Sequence, residues 1–138
     1  MRINESGDQI SQTLILNFKF PSLNDALGKA LTNRYAYGTL KKGLTRYVAQ
    51  ECKIQRLKRE PGPLRVEFHW QEKDKRRDLD NVASAKKFIL DGLQEAGVIK
   101  NDNAKYIKGF SDTFSYGVTN VVKVRLIKDG VFKIGGSI

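Results

Sequence analysis

Residues 64–71 read LRVEFHWQ, and this short stretch decides the fold. Its apolar residues alternate with polar ones, which is the period of a β-strand with one buried face; they are Leu64, Val66, Phe68 and Trp70. The preceding Glu60-Pro61-Gly62-Pro63 predicts a turn. A charged run and an apolar pattern with helical spacing follow the strand. A strand joined to a helix in this way is the building unit of an α/β domain.

Outward from this strand, the chain alternates between strand and helix patterns. Strands are predicted at residues 10–20, 106–116 and 122–126, and helices at residues 38–58 and from Asp78 to about Ala96, with Gly97 closing the second helix. The predicted order is therefore β-α-β-α-β-β. We expect one α/β domain of α+β character over residues 1–138, with a mixed sheet of about four strands and two main helices.

The rarity of cysteine and histidine excludes several kinds of site. Cys52 and His69 are the only residues of their types, so an internal disulfide, a four-cysteine zinc site and every two-histidine metal site are excluded. A catalytic triad would need His69, which is predicted on the solvent face of its strand. Cys52 falls on the apolar face of the first helix, where a small buried side chain is expected.

Three further patterns are missing from the chain. The glycines form neither a GxGxxG nor a Walker A pattern, so no nucleotide cofactor is expected. The longest apolar run is far short of the roughly 20 residues of a membrane span, and no membrane association is expected. The first residues, MRINESG, lack the apolar region of a secretory signal. We expect a cytoplasmic protein.

The charge of the chain points to a polyanionic partner. Lys and Arg number 25 against 15 Asp and Glu, a formal net charge of +10. Residues 41–77 hold 12 of these basic residues and 5 of the acidic ones, so most of the excess lies in the middle of the chain. Nucleic acid is the usual partner of such a field. An anionic membrane surface is the competitor, but it calls for a basic helix with a large aromatic or leucine face.

The carboxylates are the candidates for chemistry. Asp78 and Asp80 follow the basic run Lys75-Arg76-Arg77 directly, and in an extended chain residues two apart point the same way. A third carboxylate, Asp102, lies in a polar loop after the helix. Converging carboxylates repel unless a cation lies between them, and hard oxygen ligands suit Mg²⁺ or Mn²⁺. The alternative is that Asp78 or Asp80 only caps the helix and Asp102 is a turn residue.

At residues 75–81, KRRDLDN, the sequence resembles the RusA family of Holliday junction resolvases. The family signature is a basic run followed by Asp-x-Asp-Asn at the start of a helix, then a Lys and Asp-x-Leu in that helix and an acidic or Asn-Asp turn after it. The later parts correspond here to Lys87, Asp91-Gly92-Leu93 and Asn101-Asp102. The segment from Phe20 to Asn24 also resembles the early Pro-Ser-x-Asn segment of the family.

This resemblance implies a Mg²⁺-dependent endodeoxyribonuclease of DNA recombination and repair. Such an enzyme is a homodimer that binds four-way DNA junctions and nicks two opposed strands symmetrically. The family's catalytic, metal-binding aspartates match Asp78, Asp80 and Asp102. Contacts to the DNA backbone are expected from a separate set of polar and basic residues, namely Asn24, Lys73, Lys75, Arg76 and Arg77.

The catalytic lysine is the point at which the sequence departs from the family. The usual spacing of four after Asp80 leads to Ser84, whereas counting back four from Asp91 leads to Lys87. We assign Lys87, because it lies seven residues after Asp80 and would share its helix face, while Lys86 would point elsewhere. The alternative is that Lys87 is an ordinary solvent-facing helix lysine.

Two other functions compete with a junction resolvase. The first is a non-catalytic basic domain that binds DNA or RNA, with the aspartates acting as helix caps. The second is a metal-dependent nuclease that cuts flaps or ordinary duplex. Divalent-metal dependence separates the first from the resolvase, and competition between substrates separates the second.

Overall fold

A computed structural model of the chain describes residues 2–22, 25, 27–28, 33–75, 78–101 and 103–129, and of Asp80 and Asn81 it describes the backbone. Residues 25 and 27–28 are helical, and five strands and three other helices have described bounds. In chain order they are β1 (Arg2–Ile3), β2 (Gln9–Leu16), α1 (Arg34–Ile54), β3 (Leu64–Glu72), α2 (Leu79–Ala83), α3 (Lys86–Glu95), β4 (Ile107–Tyr116) and β5 (Val121–Lys128). The predicted mixed sheet with two main helices is confirmed, with one strand more than expected.

The sheet has the strand order β1-β2-β5-β3-β4. β3 and β4 are parallel, and the chain crosses between them through α2 and α3. After β4, residues 117–120 turn the chain so that β5 pairs antiparallel with the other side of β3 and with β2. β3 is thus an interior strand of the sheet, with β5 on one side and β4 on the other.

The two main helices pack on one face of this sheet. The apolar residues of β3 point into that layer, and Leu64, Val66, Phe68 and Trp70 are each at most 1% exposed. They meet Leu14, Val48, Ile89, Leu93 and Val124 in one hydrophobic cluster. The intervening residues of β3 point to the opposite face and are half-buried. No helix in the described residues is long and apolar enough to cross a membrane.

The first helix begins earlier than the sequence indicated. α1 starts at Arg34 rather than Gly38, because the Asn33 side chain accepts hydrogen bonds from the backbone N–H groups of Tyr35 (2.9 Å) and Ala36 (3.2 Å). It also ends earlier, at Ile54 rather than Lys58, where Arg56 adopts a left-handed φ of 61°. β1 was not predicted, since two residues carry no usable period.

The predicted second helix is two helices. α2 and α3 are separated by a turn at Ser84–Ala85, where the Ala85 and Phe88 N–H groups reach carbonyls three residues back. The end of α3 agrees with the prediction. Gly97 has a φ of 79°, and the Val98 N–H donates to the Leu93 carbonyl at 2.9 Å, which is the Schellman arrangement.

Candidate metal and nucleic-acid site

The connection from β3 to α2 leaves the sheet at the carboxyl end of β3. Its backbone is tied to the β4–β5 turn, because the Lys73 N–H donates to the Asn120 side chain at 3.1 Å. The ammonium of Lys75 lies 5.3 Å from the ring centre of Tyr116, at the end of β4. Both lysines are exposed. The connection therefore presents positive charge to solvent beside the end of the sheet.

Asp78 lies at the start of α2. Its backbone carbonyl accepts the first helical hydrogen bond, from the Val82 N–H at 3.1 Å, so Asp78 occupies the N-cap position. Its side chain is exposed and makes no hydrogen bond or ion pair with the residues that the structure describes. A carboxylate at this position is favoured by the helix dipole and remains available to a cation.

Several other predicted site residues lie outside the described part of the chain. They are Asn24, Arg76, Arg77, Asp102 and the side chain of Asp80. In the loop after α3, the Asn101 side chain accepts from the Asn103 N–H (3.1 Å), and the Asn103 side chain accepts from the Lys105 N–H (3.0 Å). Among the side chains that the structure does describe, no group of three His, Cys, Asp or Glu residues could hold a metal ion.

Lys87 and Lys86 are neighbours with different surroundings. The Lys87 ammonium pairs with Asp91 one turn later in α3, at 3.1 Å, and its side chain is 59% exposed. The Lys86 ammonium lies 2.7 Å from the carboxylate of Asp112 on β4. The prediction of one continuous helix from Asp80 to Lys87 is wrong, because a turn at Ser84–Ala85 separates α2 from α3. The role of Lys87 stays a prediction.

The Lys86–Asp112 pair is a cluster that the sequence reasoning missed. One Asp112 oxygen accepts from Lys86, and the other accepts from the Trp70 indole N–H at 2.9 Å. The Lys86 ammonium also lies 5.4 Å and 5.0 Å from the ring centres of Phe68 and Phe110. The sequence did contain a signal for this cluster, because Asp112 lies two residues after the apolar Phe110 and therefore points to the same face of the strand.

His69 lies on the opposite face of the sheet. Its ring nitrogens are 2.6 Å from the Thr113 hydroxyl and 2.9 Å from that of Ser115. Partial burial and the charges of Lys123 and Arg125 lower the pKa of His69, which favours the neutral ring. Cys52 is 1% exposed, and burial raises the pKa of its thiol to about 12. The prediction of a buried cysteine is confirmed, and a thiol with this pKa is a poor nucleophile.

Comparison with models of known protein families and with curated proteins found no match for this chain.

Proposed function

We propose that this chain is a Mg²⁺-dependent endodeoxyribonuclease that resolves four-way DNA junctions by paired, symmetric nicks. The observation that carries the proposal is the exposed carboxylate of Asp78, which has no partner among the described residues and lies next to a lysine-bearing connection. A helix cap does not require adjacent cations, whereas a site for a phosphodiester bound over a metal ion requires both charges. The resemblance of residues 75–81 to the RusA family supports the same conclusion.

The residues of the proposed site have separate tasks. Asp78, Asp80 and Asp102 would hold Mg²⁺, whose preference for carboxylate oxygens fits this donor set. The bound ion would supply an activated water and charge stabilisation at the scissile phosphate. Lys73, Lys75, Arg76, Arg77 and Asn24 would hold the phosphate backbone, giving affinity with little sequence preference.

A lysine near the carboxylates would stabilise the charge that develops on the phosphate. Lys87 is the predicted residue, and its ammonium would have to leave Asp91 to reach a substrate. Lys86 is held by Asp112, which fixes its position at the edge of the sheet. Lys87→Met and Lys86→Met therefore separate the two assignments, since the catalytic lysine is the one whose loss lowers the cleavage rate more than junction binding.

A homodimer would fit the proposed task. A four-way junction presents two equivalent strands, and a two-fold symmetric protein places one site on each. Sedimentation of the protein with and without a junction would give the stoichiometry. A complex of two chains for each junction supports this part of the proposal.

The proposed activity is tested by cleavage of an end-labelled four-way junction with and without Mg²⁺. The wild type and Asp80→Asn are compared, with Asp74→Asn as a control that removes the same charge from the neighbouring connection. We expect paired nicks that need Mg²⁺, disappear in Asp80→Asn and persist in Asp74→Asn. Excess flap or linear duplex, added as competitor, should not suppress them.

Two results would replace the proposal. Junction binding that falls with salt but yields no cleavage with Mg²⁺ or Mn²⁺ would indicate a non-catalytic binding domain, which the N-cap position of Asp78 also fits. Metal-dependent cleavage of flaps or duplex in preference to junctions would indicate a different nuclease.

A further inference from the structure

The two halves of α1 have different surroundings. Its C-terminal half is built into the core through Leu44, Val48, Ala49 and Cys52. Residues 34–43 contain no buried side chain, and Tyr35 is 84% exposed. The N-terminal half of the helix therefore extends beyond the core that stabilises the rest of it.

This N-terminal half and the next helical turn of α1 carry four exposed basic side chains. Arg34, Lys41, Lys42 and Arg46 make no ion pair with any residue that the structure describes. We call these four residues the α1 basic face. They lie within 13 residues, or about 18 Å at the helical rise of about 1.5 Å per residue. The single acidic residue of α1, Glu51, lies in the other half.

Two arginines on the open face of the sheet are neutralised, in contrast to the α1 basic face. Arg65 pairs with Asp8 at 2.8 Å, and Arg125 approaches Glu5 at 3.5 Å. The cleft between α1 and α3 does contain carboxylates, but Asp91 is already paired with Lys87, and Glu95 is the other carboxylate that lines it. The positive charge of the face is thus largely uncompensated.

Contacts along α1 indicate which end of the sheet the basic face occupies. The side chain of Gln55, just after α1, accepts a hydrogen bond from the Ile15 N–H at 2.9 Å and donates one to the Ile15 carbonyl at 2.6 Å. Farther along the chain, the ring centre of Phe18 lies 4.7 Å from that of Tyr47. The direction of β2 therefore leads towards the N-terminus of α1. Since β2 and β3 are both antiparallel to β5, the basic face projects at the end where β3 stops.

The connection from β3 to α2, which leads to Asp78, begins at that same end of the sheet. We propose that the α1 basic face binds the phosphodiester backbone of a nucleic-acid arm whose centre lies at the connection from β3 to α2. The face fits this partner because its four cations are spread along a helix, as a phosphate backbone requires, and the exposed Tyr35 ring beside Arg34 offers a stacking surface. It lacks the leucine or tryptophan face of a helix that binds membranes.

The test measures binding in EDTA, so that cleavage has no part in it. A labelled four-way junction is titrated at several salt concentrations with the wild type and with the triple variant Lys41→Gln, Lys42→Gln, Arg46→Gln. The matched control, Lys58→Gln, Arg59→Gln, Lys128→Gln, removes the same charge from exposed positions at the other end of the sheet. Glutamine keeps the helix propensity of lysine and arginine, and circular dichroism checks the fold of each variant.

We expect the triple variant to bind at least tenfold more weakly at moderate salt. The slope of log K against log[salt] should fall by about 2 to 3, which is about 0.9 for each lost phosphate contact on duplex arms. The control should keep most of the wild-type affinity. Equal weakening of both variants, or no weakening of either, would overturn the inference.

Two further outcomes distinguish a nucleic-acid face from a lipid-binding one and from a failure of the proposed activity. If the triple variant loses binding to phosphatidylserine vesicles but keeps its affinity for the junction, the face binds lipid and the inference is wrong. The inference rests on the proposed function only for the choice of a junction as probe. Loss of binding in the triple variant together with no Mg²⁺-dependent cleavage by the wild type would remove the proposed function alone, whereas normal binding and cleavage by the triple variant would remove this inference alone.

Discussion

The two faces of the sheet use opposite chemistry. The face under the helices buries apolar residues of β3 such as Phe68 and Trp70, each 1% exposed. The opposite face is polar, with Asn4 bonded to Glu67 at 2.6 Å and Arg65 paired with Asp8 at 2.8 Å. Exposed ion pairs contribute about 0–1 kcal/mol, whereas burying one large apolar side chain contributes about 1.5–3 kcal/mol. Stability therefore resides mainly on the covered face, and the open face tolerates charge.

Substitution of Gly92 should have the largest effect on the stability of the covered face. A Cβ at this position of α3 would collide with the side chain of Val48, where α1 and α3 cross. Overpacking costs about 1–3 kcal/mol, and two helices that meet through a Cβ cannot relieve it by rotating a side chain. We expect Gly92→Ala to lower the free energy of unfolding by about 2 kcal/mol in urea denaturation.

Gly43 is the matched control for this prediction. It lies in α1, and a Cβ there would meet nothing within 4 Å. Gly43→Ala should raise the stability by about 0.5–1 kcal/mol through helix propensity alone. Equal effects of the two substitutions would show that the crossing is looser than described.

The Lys86–Asp112 pair is an exception to this contrast, because it is a charged pair on the otherwise apolar covered face. Both side chains are about three-quarters buried, at 23% and 24% exposure, and Asp112 also serves Trp70. A double-mutant cycle with Lys86→Met and Asp112→Asn should give a coupling of about 1 kcal/mol or more, because hydrogen bonds to charged groups are worth about 1.5–3 kcal/mol.

The adjacent Lys87–Asp91 pair is the control for that cycle. Its lysine is mostly exposed, and pairs with this helical spacing contribute about 0.3–0.5 kcal/mol. A cycle with Lys87→Met and Asp91→Asn should therefore give the smaller coupling. The reverse order would mean that Lys86 is not held at the sheet.

His69 gives the smallest expected effect, on the open face. Burial, Lys123 and Arg125 lower the pKa of His69, and Glu5 opposes them. In the unfolded chain the histidine pKa is about 6.5. Just below that pH, the unfolded chain therefore binds more protons than the folded protein. Stability should fall as the pH drops from about 7 to 5, and His69→Gln should flatten this part of the Tm profile. An unchanged profile in the variant would assign the dependence to the carboxylates.

Local patterns of the sequence predicted part of the fold, and the misses have physical reasons. The alternation of β3 and the glycine after α3 were sufficient because each depends on its neighbours in the chain. The break at Ser84–Ala85 was hidden, since Val82, Ala85 and Ile89 keep helical spacing across it. The start of α1 was missed because the Asn33 cap lies in a segment without apolar period.

The candidate site was less accessible to sequence reasoning. The basic run and Asp78 could be found, because their charges are adjacent in the chain. The Lys86–Asp112 contact could not be found in this way, since it joins a residue of α3 to a residue of β4 that lies 26 positions later in the chain. The alternation of β4 shows that Asp112 points to the same face as the apolar Phe110, but it does not identify the partner of Asp112.

The most direct test of the account is the substitution Asp78→Asn, because asparagine caps a helix about as well as aspartate but carries no charge. Junction cleavage with Mg²⁺, junction binding in EDTA and Tm are measured for the same preparation. We expect a loss of cleavage, with Tm and junction binding near those of the wild type. Cleavage that Asp78→Asn supports at the wild-type rate would contradict it, because Asp78 would then act only as a cap.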